Sequence, residues 1–112
     1  MRQIKFRGKR IDNGEWVYGD LIHPTDVHVC IREYKVTHYV GPETVGQFTG
    51  LTDKNGVEIY EGDKVRHIYS ESITDVVYED ACFYTKFDDT SYRLGGWKDK
   101  SVLEVIGNIH EE

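Results

Sequence analysis

Residues 46–65 read GQFTGLTDKNGVEIYEGDKV, and two turn signals inside that stretch decide the fold class. Asp53-Lys54-Asn55-Gly56 is a hairpin turn of the longer type, with Gly56 at the left-handed position that residues with a Cβ avoid. Glu61-Gly62-Asp63 is a second turn, where Gly62 permits the tight corner and Asp63 caps backbone amides that the turn opens. The runs left between them are rich in Thr, Val, Ile and aromatic residues and too short for a stable helix. Short strands joined by tight turns are the outcome.

Upstream the same grammar continues. Ile4 and Phe6 share one strand face while Lys5, Arg7 and Lys9 share the other, the period-2 alternation of a half-buried strand. Asp12-Asn13-Gly14 turns the chain, since Asn13 and Gly14 accept positive φ. Trp16, Tyr18, Leu21 and Ile22 form the return strand, and residues 27–32 and 34–40 predict a third and a fourth. Gly41-Pro42-Glu43-Thr44 interrupts the ladders and places a boundary, giving an N-terminal β region over 1–45 and a second β domain over 46–112. A short helical turn starting at Pro42 fits there, with Glu43 well placed in its first turn.

Downstream, a strand runs from Lys64 to Tyr69. Residues 74–87 predict one long strand or a bent pair, with Val77, Ala81, Phe83 and Phe87 on one parity. Asp88-Asp89-Thr90 turns, and Gly95-Gly96 bends before Trp97. The last strand, 102–109, is apolar on both faces and is therefore expected in the middle of a sheet. Turn signals recur roughly every 8–12 residues, the spacing of a small barrel or sandwich. Composition agrees: Val, Ile and Thr supply 29 of 112 residues against one Ala, four Leu and one Met, so the chain is mainly β with little helix.

Charge and cysteine usage narrow the function classes. The formal net charge is −6, yet Arg2, Lys5, Arg7, Lys9 and Arg10 form a basic N-terminal strand with no acid among the first ten residues. The broad positive field of a sequence-independent nucleic-acid binder is missing, although a local contact strand remains. No apolar run approaches the ~20 residues of a membrane helix, and no apolar h-region follows the N-terminal charges. A cytoplasmic protein is expected, with Cys30 and Cys82 as free thiols. His28 and Cys30 share a strand face, but nothing fixes further ligands, so no metal site is predicted. No nucleophile, phosphate-loop or dinucleotide motif occurs, so neither catalytic residues nor a cofactor are expected.

The opening IKFRGKR (4–10), the stretch PETVGQFTGLTDKNGVEIYEGDKV (42–65) and the closing LEVIGNIHE (103–111) together resemble the YopX family of phage and prophage proteins. The resemblance spans the whole chain and implies an N-terminal β-hairpin region followed by a C-terminal SH3-type β-barrel. It also implies self-assembly into homo-oligomers, and it brings no established activity. Asn13, Gly14, Asp53, Asn55, Gly56, Gly62 and Asp63 are accordingly expected to determine the fold rather than to react. The function expected is a non-enzymatic accessory module that binds a host or phage protein. The alternative is a nucleic-acid-binding barrel using the basic strand and exposed aromatics.

Overall fold

The computed structural model describes residues 4–23, 25, 28–79, 82–87, 90–93 and 103–111. Eleven strands are found among them: β1 Phe6–Lys9, β2 Trp16–Ile22, β3 Cys30–Glu33, β4 Val36–Tyr39, β5 Gly46–Thr52, β6 Glu58–Tyr60, β7 Asp63–His67, β8 Ile73–Glu79, β9 Cys82–Phe87, β10 Thr90–Arg93 and β11 Leu103–Asn108. A 3-10 turn at Pro42–Thr44 lies between β4 and β5. The protein is thus mainly β, built from two antiparallel sheets. The chain divides into two compact units, Met1–Phe48 and Thr49–Glu112.

In the first unit the strand order is β4-β3-β2-β1-β5. β1 pairs with β2 from Phe6↔Gly19 to Lys9↔Trp16, and with the start of β5 at Phe6↔Gln47 and Arg7↔Gly46. Alternation sends Val17 and Ile31 to one face, where they pack with Val40, Phe6, Leu21, Val29 and Val45. At the Asn13-Gly14 turn only Gly14 takes positive φ, 74°; Asn13 contributes instead through its side chain, which accepts from the Glu15 amide at 2.9 Å.

In the second unit β5 is followed by β6, and a five-stranded sheet runs β10-β9-β8-β7-β11. Ile59, Val65, Val76, Phe83 and Leu103 form its core, with Leu51, Ile68 and Val105 against them. A core this small leans on buried polar groups. Asp53 is 6% exposed, and its carboxylate accepts from the amides of Asn55 (2.8 Å) and Val57 (2.9 Å) with one oxygen and of Val105 (2.8 Å) with the other. The Lys54 amide adds a bond to the Leu103 carbonyl at 3.0 Å. Asp63, 1% exposed, accepts from the Tyr60 amide at 2.7 Å. Gly62, at φ 89°, donates to Val76 and accepts from Ile109.

Two expectations are corrected. The last strand is not central: among the described residues β11 pairs with β7 and ends the sheet order. Leu103 is buried, whereas Ile106 and Ile109 are about half exposed. A register shift between Val105 and Gly107 breaks the alternation on which two-sided burial was inferred. Residues 74–87 form a pair of strands rather than one, but a single parity does not run through both. β8 and β9 are antiparallel, with Glu79↔Cys82 and Tyr78↔Phe83 opposed. An extended strand would keep Val77 on the Phe83 face, but this pairing sets Phe83 opposite Tyr78. The inward valine is therefore Val76, buried against Thr85, and Val77 is half-buried. The Asp88-Asp89 turn, the Gly95-Gly96 bend, Ala81 and Val102 lie outside the described residues. No closed barrel forms among the described residues.

Thr85 is fully buried, and its hydroxyl has no hydrogen-bond partner among the described residues. Thr85→Val replaces that hydroxyl with a methyl of the same shape and should stabilise the chain by about 1 kcal/mol. Asp53→Ala strands three amides and should cost about 3 kcal/mol. Urea unfolding followed by tryptophan fluorescence measures both shifts, in opposite directions.

Candidate interaction surface

The basic N-terminal strand is largely engaged within its own unit. Register places Lys5, Arg7 and Lys9 on the sheet face of Trp16 and Tyr18. The Arg7 guanidinium lies over the Trp16 ring at 4.8 Å and is 6% exposed, and the Lys5 ammonium lies over Phe48 at 5.1 Å. Cation–π contacts of this kind hold each charge against apolar surface. Lys9 is half-buried, its amide bonded to the Thr44 hydroxyl at 2.9 Å. Arg10 bonds Asp12 at 2.6 Å. Arg2 lies outside the described residues. These side chains share one strand without forming a continuous cationic surface.

The turn residues singled out in the sequence sit in two places. Asn13 and Gly14 shape the β1–β2 connection; Asp53, Asn55, Gly56, Gly62 and Asp63 shape the connections around β6. Among the described residues no three His, Cys, Asp or Glu side chains gather as metal ligands would. His28 contacts the Thr25 hydroxyl through Nδ1 at 2.7 Å, while Cys30 is fully buried and burial pushes its thiol up from the usual cysteine range. That thiol is a core atom rather than a nucleophile.

The exposed chemistry of the first unit lies instead on the β3–β4 hairpin. Glu33 pairs with Val36, so Tyr34 and Lys35 form a two-residue loop. Tyr34 holds φ 55°, at a loop position usually given to Gly, and is 86% exposed. The Lys35 ammonium sits 5.5 Å from its ring, and Arg32 Nε donates to the Tyr34 carbonyl at 3.3 Å. Val36 and Tyr39 are about half exposed on the strand that follows. Sequence reading missed the tip because Tyr-Lys carries no turn residue; only the brevity of the two flanking runs hinted at it.

At the other end of β4 the chain is laced to the end of β1. Arg10 and Val40 form an isolated bridge, the Gly41 amide donates to the Lys9 carbonyl at 3.0 Å, and the Ile11 amide donates to the Tyr39 carbonyl at 3.1 Å. Where the lacing stops, Arg10, Ile11, Asp12, Thr37, His38 and Tyr39 line an open cleft of about 320 Å³. Tyr39 meets the His28 ring edge-on at 5.3 Å. The hydrogen bond from Arg10 holds the Asp12 carboxyl below the usual aspartate range.

The family model described as YopX protein matches residues 5–112. The crystal structure of protein EF1440 from Enterococcus faecalis is similar in fold, with a TM-score of 0.64, 24% identity, and coverage of 98% of this chain and 95% of that one. No curated protein matches the chain.

The Arg10–Asp12 pair has a testable sign. A lowered folded-state value means its contribution to stability is present above the unfolded carboxyl's ordinary value and is lost as pH falls through the folded one. Arg10→Ala should raise the Asp12 titration, followed by carboxyl-carbon NMR, back toward the ordinary aspartate range. The stability margin of wild type over the variant should vanish at the acid end.

Proposed function

The chain belongs to the YopX family, and from that premise we propose that it is a non-enzymatic interaction module, a phage accessory protein that assembles with itself and holds a host or phage protein in the bacterial cytoplasm. The observation that carries the reading is Tyr34: a nearly fully exposed aromatic kept at positive φ on a hairpin tip. Left-handed backbone costs a bulky residue about 1–2 kcal/mol, and strain of that kind is retained where a side chain must be presented. Tyrosine suits such presentation, because a rigid ring with a polar end anchors an interface at little entropic cost. Arg32 and Lys35 beside it favour an acidic partner surface.

The second unit is read as an SH3-type barrel. Support comes from the bonds of Asp53 and Lys54 to β11, which bring the β5–β6 turn onto the outer strand of the sheet. Recognition by phosphate contacts is the weaker reading. Arg7 is buried over Trp16 and Arg10 is tied to Asp12, which leaves the strand little cationic surface for a polyanion.

Tyr34→Ala and Tyr34→Gly test the reading by capture from host lysate with the tagged chain, with and without nuclease. Both variants should lose a nuclease-resistant partner protein that wild type retains, while Tyr34→Gly gains about 1 kcal/mol in stability by relieving the positive φ. Capture that both variants retain, or that nuclease abolishes, overturns it.

A further inference from the structure

Two asparagine-glycine pairs form turns, Asn13-Gly14 in the first unit and Asn55-Gly56 in the second. Both glycine amides donate to a backbone carbonyl at 3.0 Å, so that constraint is common to the two turns. What differs is the hold on the asparagine side chain. The Asn13 carboxamide oxygen accepts from the Glu15 amide at 2.9 Å, and the Arg10 amide closes the same loop on the Glu15 carbonyl at 2.9 Å. Asn55 is exposed; its backbone amide bonds Asp53 at 2.8 Å, while its carboxamide bonds nothing among the described residues. Gly56 follows at φ 80° in open space, with no atom within 4 Å of where a Cβ would stand. The third asparagine, Asn108, is buried, accepts from the His110 amide through its side chain, and precedes the branched Ile109.

A carboxamide free to rotate beside a glycine nitrogen is open to attack by it, because glycine has no Cβ to crowd the approach. We propose that Asn55-Gly56 is a site of spontaneous covalent modification, by ring closure to a succinimide and opening by solvent water. The Gly56 nitrogen bonds Asn55 Cγ; the Cγ–Nδ2 bond breaks, and ammonia leaves with the Gly56 amide proton. No atom is oxidised or reduced. Water then opens the ring at either carbonyl. Cleavage at Cγ leaves aspartate, and cleavage at the main-chain carbonyl leaves isoaspartate, whose backbone runs through Cβ and Cγ. The product acts on the Asp53 clasp, in which Oδ1 receives the Asn55 and Val57 amides and Oδ2 the Val105 amide. Ring closure removes the Gly56 N–H that bonds the Asp53 carbonyl, and isoaspartate inserts a backbone atom between the amides that share Oδ1. Either product adds a carboxylate beside the buried one, and like charges repel. Modification at Asn55 therefore loosens the β5–β6 turn from β11.

Incubation of the full chain at mildly alkaline pH, followed by tryptic peptide mass spectrometry, tests the assignment. Cleavage after Arg10 and after Lys54 puts the two pairs on separate peptides. The peptide that begins at Asn55 should gain the mass difference between an amide and an acid, and should become a substrate for isoaspartyl methyltransferase. The Asn13 peptide should change about fivefold more slowly, the factor set by breaking its hydrogen bond to Glu15 before attack. In the incubated chain the Val57 and Val105 amides should exchange faster than in the fresh chain. Asn55→Gln, whose longer side chain closes the ring poorly and leaves the backbone bond to Asp53 in place, should keep both its mass and its protection. Change at Asn13 as fast as at Asn55 overturns the proposal. So does an unchanged mass at Asn55, or a modified chain in which Val57 and Val105 exchange as before. These readings come from the unsubstituted chain, so they decide the matter whether or not Asn55→Gln folds.

Discussion

One carboxylate organises the second unit. Asp53 closes its own turn through Asn55 and Val57 and reaches a strand 52 residues later at Val105. A local turn and a distant strand end are thereby fixed by the same two oxygens. A buried carboxylate is costly unless its lone pairs are filled, and bonds to an ionised acceptor are stronger than those between neutral groups. The arrangement therefore tolerates little change of distance or angle. Cross-strand Arg66 and Glu104, bonded at 2.5 Å with Lys54 at 3.5 Å from the same carboxylate, add a second link between the turn and β11. The hydrogen bond from Arg66 holds Glu104 below the ordinary glutamate range.

The first unit solves a different problem. Its basic strand carries charges that a purely alternating reading turns to solvent, yet Arg7 and Lys5 lie over aromatic rings. Long cationic side chains bury their stems and use ring faces as a partly polar environment. With these charges committed, the exposed features pass to the β3–β4 hairpin: a strained aromatic tip and half-exposed Val36 and Tyr39.

Strand identity was legible because it depends on neighbours in sequence. Gly14, Gly56 and Gly62 all adopt the positive φ their turns demand, and Pro42 begins the short helical turn. The common parity assigned to residues 74–87 fails for a related reason. Alternation was carried straight through a hairpin, where antiparallel pairing sets Phe83 opposite Tyr78 and brings Val76, not Val77, inward. At Tyr34-Lys35 the turn residue is atypical, so the exposed aromatic tip left no local signal.

By itself, the sequence determined that the chain is mainly β, where it turns, and which family it resembles, because turn chemistry and alternation are short-range properties of the backbone. Tertiary structure decided that β11 ends its sheet among the described residues, that Arg7 is buried over Trp16, and that the end of β4 is laced to the end of β1. Each of these follows from pairing between residues far apart in the chain. An apolar run reads alike at the centre or the rim of a sheet, and only its neighbours in space distinguish the two.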